Sequence, residues 1–255
     1  MNEFAGHPLR GPLLKLGRAK EHFAVLRQEC EDFIGDEPWD WRTEYATLED
    51  GLREYTVYAS VEWEPPIELG LIAGDVVQNL RAALDQLIWG NSERDKRDRR
   101  TAFPIYLTEE DYREYAPPKI RGIQEQGRDF IEQWQPFQLD ERAKAHPLAM
   151  LQELSNIDKH RTLLPVAVAR RNEFVTGYGE WKIEEITYHQ PSSAQLLEEA
   201  LVMTFTTSGE PPDRSTVDPY LTFELAVEGR TLQDFESMIL YVGNDILGSF
   251  ERDFD

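Results

Sequence analysis

From residue 70 to 89 the apolar positions follow a helical period. At about 100° per residue, Val76, Val77, Leu80, Leu84, Leu87 and Ile88 fall on one wide face. Asp75, Asn79, Ala82 and Gln86 line the other side, flanked by Arg81 and Asp85. A solvated helix face ordinarily carries Lys and Glu. An Asn, an Arg, a Gln and two Asp there point to contact with something specific. This helix is expected to be the spine of the fold and the leading site candidate.

Helical spacing also links Leu16, Ala19, Phe23, Leu26, Cys30, Phe33 and Ile34, after Gly11-Pro12 and before a terminating Gly35. Pro38-Trp39-Asp40-Trp41 reads as a loop. Strict alternation then predicts a strand over 54–63, with Tyr55, Val57, Ala59, Val61 and Trp63 on one face. Thr108 followed by Glu109, Glu110 and Asp111 reads as a capped helix start, and Ile120–Trp134 as a further helix closed by Gln135-Pro136-Phe137. Another helix runs from His146-Pro147 through Leu154 and Ile157. Beyond it the period shortens. Strands are expected over 163–169, 173–178, 181–188, 200–206 and 219–227, before a closing helix capped by Thr231 with Asp234 three places on. The layout is α+β: an N-terminal helical part, a mainly antiparallel sheet and a C-terminal helix. Residues 1–162 form the mainly helical part, with strand 54–63, and 163–255 the β-rich part. If strand 54–63 joins the later sheet, the two are one integrated domain.

Composition narrows the class. A chain of 255 residues with 40% apolar side chains is globular. The apolar runs are too short to span a bilayer, and the N-terminal residues lack the pattern of a signal peptide. With the lone Cys30, this leads to the expectation of a soluble cytoplasmic protein. The net charge of −21 is uneven: residues 1–70 carry −8, 71–171 are neutral and 172–255 carry −13. RNA is therefore expected to approach only the middle third. A basic protein would suit the acidic ends. The loop 93–100 holds five basic residues interleaved with three acids and reads as a solvated connection.

Signals for nucleotide-binding glycine loops, zinc sites, EF-hands and serine hydrolases are absent, and the five His have no metal-clamping spacing. No metal and no cofactor are expected. Two polar clusters remain: Asp75, Asn79, Arg81, Asp85 and Gln86 on the spine helix, and Asn156, Asp158, Lys159, His160 and Arg161 at a helix end. Arg supplies a fixed fork of donors for phosphate or carboxylate, and His moves protons near neutral pH. Brought together, they suit metal-free phosphodiester cleavage, with Arg81, His160 and Asp85 as catalytic candidates, or the gripping of an anionic ligand by the others. The same groups also suit helix-to-helix locking.

Gly74–Trp89, Phe103-Pro104-Ile105, Gln135-Pro136-Phe137 and Asn156–Arg161, in that order, resemble the motifs of a family of uncharacterised bacterial proteins common in actinobacteria. That resemblance implies membership but no particular reaction. Family members often carry His at the position of Gln86. Arg followed five places later by His on a helix is similar to the motif of HEPN-type ribonucleases, helical RNA-cleaving domains of toxin–antitoxin and phage-defence systems that usually work as dimers. This resemblance maps their Arg onto Arg81 and their His onto Gln86, which cannot serve as a general base, so cleavage by that route requires His160 in a cleft beside Arg81. Three classes of function follow: a cytoplasmic binding protein for an anionic small ligand or peptide, an interaction protein with a basic partner, and a metal-independent, HEPN-like ribonuclease, degenerate if Gln86 leaves it without a base, each compatible with a homodimer. Whether the chain is an enzyme is left open by its sequence.

Overall fold

The computed structural model describes residues 7–170, 182–189, 199–208 and 222–250, and it is α+β. Its contacts cluster into two compact units, both discontinuous in sequence. Of the described residues, the first draws on 7–28, 67–164 and 230–250, the second on 29–66 and those between 165 and 229.

The first unit is helical. It takes the beginning of α1 (Arg10–Gly35), then α2 (Glu68–Asn91), α3 (Glu109–Tyr115), α4 (Glu125–Gln133), a 3₁₀ stretch over Pro136–Ala145, α5 (Pro147–Asp158) and α6 (Leu232–Leu240). α2 is the centre. Val76, Val77, Leu80, Ala83, Leu84, Leu87 and Ile88 are fully buried along it. Burying each large apolar side chain contributes about 1.5–3 kcal/mol. α5 lies antiparallel to α2, with Gln152 opposite Arg81, Asp158 opposite Gln78 and Leu163 against Gly70. Glycine at 70 and 74 is what allows this approach: a Cβ at Gly70 would fall 1.8 Å from the Leu163 carbonyl oxygen, and one at Gly74 2.5 Å from Asp158 Oδ1.

Both predicted caps are present. Thr108 Oγ1 accepts from the Asp111 N–H, and Thr231 with Asp234 closes a reciprocal capping box. Other boundaries differ from expectation. Ile120 and Ile123 lie in turns before α4 and not within it. α6 passes into a π-helix over Tyr241–Leu247, although Val242, Ile246, Leu247 and Phe250 keep their buried stripe. Glu37, at φ 49°, is the left-handed residue after α1, the role expected of Gly35.

In the second unit, β1 (Trp39–Thr47) and β2 (Arg53–Val61) form an antiparallel hairpin. Trp39, Asp40 and Trp41, part of the stretch 38–41 expected as a loop, thus open a strand. β2, the strand that the alternation predicts, pairs with β5 (Ala200–Ser208), and β4 (Lys182–Tyr188) adds to the far side of β5, giving the order β1-β2-β5-β4. Tyr55, Val57, Ala59 and Val61 are buried, while Trp63, past the strand end, is exposed. A second sheet is built on antiparallel β3 (Pro165–Arg170) and β6 (Thr222–Val227). The strand expected over 173–178 lies outside the described residues. No helix among the described residues is long and apolar enough to cross a membrane.

Candidate functional site

The polar face of α2 faces α1. Lys15 Nζ donates to Asn79 Oδ1 at 3.2 Å, His22 Nδ1 lies 3.8 Å from Asp75 Oδ2, and Gln86 Oε1 packs over Gly11. Asn79 also donates to the Asp75 carbonyl at 2.8 Å. The specific contact that this face called for is a neighbouring helix of the same unit: Asn79 bonds α1 and Gln86 packs on it, while Asp75 stays largely exposed beside His22.

Arg81 and Asp85 do a related job on the next face. The Arg81 side chain is 12% exposed and meets Asp85 with two bonds, Nη2 to Oδ1 at 2.7 Å and Nε to Oδ2 at 3.2 Å. Arg81 Nη2 also donates to the Phe103 carbonyl at 2.6 Å, while Phe103 donates its N–H to Asp85 Oδ1 at 3.0 Å. Both backbone groups of Phe103 are thereby engaged. Gln135, fully buried, continues the clamp: it accepts from the Tyr106 N–H at 3.1 Å and donates to the Pro104 carbonyl at 2.9 Å. The segments 81–85, 103–106 and 135 therefore meet around one extended strip of backbone. Four of the five guanidinium donors of Arg81 are occupied, the last by Gln152 Oε1 at 3.3 Å.

Asp158 accepts from Gln78 Nε2 at 2.7 Å. Lys159, His160 and Arg161 are exposed just beyond it. Arg81 and His160 are not brought together: Arg81 sits opposite Gln152, eight positions earlier, or about 12 Å along a helix. The basic loop is likewise internally engaged. Arg97 donates to the Ser92 and Gly90 carbonyls at the end of α2 and lies over the Trp89 ring, Arg100 pairs with Asp98, and Lys96 with Glu93.

What opens beside Arg81 is a cleft of about 360 Å³, lined by Ile105, Leu107, Ala149, Lys144, Gln152, Glu153, Asn156 and Arg230. Its wall on α5 presents two amides one turn apart, with Gln152 Nε2 donating to Asn156 Oδ1 at 3.0 Å. Arg230 is neutralised by Glu153 at 2.6 Å, whereas Lys144 is exposed and has no ion pair among the described residues. Of the lining residues, the sequence singled out only Asn156 and, within a motif, Ile105. The i,i+4 spacing of Gln152 and Asn156 was a readable signal, but Lys144 and Arg230 come from distant segments. No group of three or more His, Cys, Asp or Glu able to hold a metal occurs among the described residues.

Two buried titratable groups serve the frame and not the cleft. Burial pushes the Cys30 thiol up to about 12, which keeps it unreactive. His146 caps α5, its Nδ1 accepting from the Leu148 N–H at 3.1 Å, so the proton sits on Nε2 and is donated to Tyr241 Oη, also at 3.1 Å. A second proton would face the Leu148 N–H, and burial holds the imidazole down to about 4. The folded state thus binds this proton more weakly than the unfolded chain does. The contribution is complete above the ordinary His value and is lost as pH falls towards the folded one. About 2 kcal/mol is expected to go between roughly pH 7 and 5. Chemical denaturation across that range checks it, and His146→Asn, which keeps an acceptor without titrating, should flatten the slope.

The chain matches no family model, no curated protein and no solved structure, which leaves the cleft to be read from its own chemistry.

Proposed function

We propose that this chain is a cytoplasmic binding protein that holds a small monocarboxylate with a short apolar body in the cleft along α5. One observation carries the reading: an apolar floor of Ile105, Leu107 and Ala149 converges with one uncompensated cation, Lys144, and two amides. Few polar groups placed over apolar walls are the usual make-up of a small-molecule site, and this volume lies at its small end. With Arg230 already paired to Glu153, the lining leaves a single net positive charge. That balance matches the single charge of a carboxylate and leaves the second charge of a phosphate dianion unmatched. The Asn156 amide nitrogen and Gln152 then orient the carboxylate while Lys144 neutralises it.

Mass spectrometry of gently denatured protein should release a co-purified acid. In calorimetric titration, octanoate should bind at least about tenfold more tightly than octanamide, a difference of about 1.4 kcal/mol. Lys144→Gln should remove most of that preference. Equal affinity for acid and amide, or an unchanged preference in Lys144→Gln, would sink the proposal.

A further inference from the structure

β1 is an edge strand in the order β1-β2-β5-β4, nine residues long, and every residue after Trp39 is exposed. Its register on β2 sets Trp41 opposite Ala59, Thr43 opposite Val57 and Tyr45 opposite Tyr55. Those β2 residues are buried, yet Trp41 is 39% and Tyr45 48% exposed. The apolar face of the sheet thus runs on, uncovered, at its edge.

Two backbone bonds fix which groups point outward. Glu62 donates to the Pro38 carbonyl at the start of the hairpin, and Leu48 donates to the Leu52 carbonyl at its turn. Even-numbered residues therefore carry the bonds to β2, and the odd-numbered Trp41, Thr43 and Tyr45 aim theirs away from it. Consistent with this, the Trp41 N–H is covered by Asp40 Oδ1 at 2.8 Å instead of a strand carbonyl. Long edges of this kind are templates for another strand.

We propose that β1 pairs antiparallel with β1 of a second copy of this chain, about a two-fold axis at Thr43. Trp41 then faces the partner's Tyr45 on the apolar side, and Arg42 faces the partner's Glu44 on the other. Shifting the axis by one residue towards Asp40 sets Arg42 on Arg42 and Asp40 on Glu44. Shifting it the other way sets Glu44 on Glu44. A half-step would put outward-aimed backbone groups against inward-aimed ones. The Thr43-centred register alone of these opposes unlike charges while pairing Trp41, Thr43 and Tyr45 of both copies, four backbone hydrogen bonds forming directly and two more once Asp40 Oδ1 releases each Trp41 N–H. Arg42 is held on its face by its own Glu44 and by Glu199, which accepts from Nε at 2.7 Å and from Nη2 at 2.8 Å, so the guanidinium is placed before association. The net charge of −21 opposes the encounter at long range. Added salt should therefore strengthen the dimer.

Sedimentation velocity of the full chain tests this at roughly 0.5 M salt, where the Debye length is below about 5 Å. The expected result is a doubling of mass with rising concentration, weakening at low salt. Thr43→Pro removes an outward N–H without touching the bonds to β2, which an edge strand tolerates, and should leave a folded monomer. Arg42→Glu and Glu44→Arg should each be monomeric, and an equimolar mixture of the two should form heterodimers, a result that misfolding cannot imitate. A chain that stays monomeric throughout, a dimer that survives Thr43→Pro, or a mixture that fails to associate would overturn the proposal. So would an edge that binds extended peptides but not its own copy.

Discussion

Gly70→Ala is expected to destabilise the helical unit by about 2–3 kcal/mol and to lower its melting temperature by roughly 4–12 °C. The added methyl carbon would lie 1.8 Å from the Leu163 carbonyl oxygen and 2.8 Å from its carbon. Both are backbone atoms, so no rotamer change relieves the contact, and the segment carrying Leu163 must move off α2. Alanine's better helix propensity returns about 1 kcal/mol, which the overlap exceeds. Gly17→Ala supplies the control. It too is a helical glycine, with nothing within 4 Å of its Cβ position, and its substitution should stabilise by about 0.5–1 kcal/mol. Opposite signs at the two positions identify close approach as the cause. Denaturant unfolding of both variants decides it, and a neutral Gly70→Ala would remove the argument.

How far the sequence could be read follows from which pressures leave a pattern. The buried face of α2 was legible because seven side chains are sealed at one period. β2 was legible because alternate residues are buried across nine positions. β1 carries the same alternation of aromatic and polar residues, but it lies at an edge, where neither face is sealed, and its opening Pro-Trp-Asp-Trp reads as a loop. The π-helix leaves no mark at all, since its stripe of Val242, Ile246 and Leu247 satisfies either winding. On the site, the polar residues of α2 differ in type from those of an ordinary solvated face, and several of them meet α1. Locking and ligand binding were both open to the sequence, because Asn79 bonds a lysine of α1 with the chemistry that would serve a ligand. The cleft itself was not readable: its cation and its apolar floor come from separate stretches of chain, and only folding brings them to one wall.

Arg81→Leu should cost about 2–4 kcal/mol. A buried pair broken on one side costs about 3–5 kcal/mol, and here Asp85 stays more than a third exposed, which reduces the figure. The loss arises from the Phe103 carbonyl, left unpaired in a fully buried stretch, and from Asp85, left with one backbone donor. Arg81→Lys should recover less than half, because an ammonium cannot meet the carboxylate and the carbonyl in the fixed geometry of a guanidinium. A double-mutant cycle with Asp85→Ala should return a coupling of about 1–3 kcal/mol. These stabilities separate a lock from a catalyst. A catalytic arginine at a solvent-open site could be removed at little cost in stability, with loss of RNA cleavage as the consequence. A locking arginine reverses that order: urea unfolding shifts first, and octanoate binding weakens only a few-fold, through the released Gln152. If Arg81→Leu proved as stable as the parent chain while abolishing a ribonuclease activity, the clamp around Phe103 would be incidental, and the assignment of the cleft to a bound acid would have to give way.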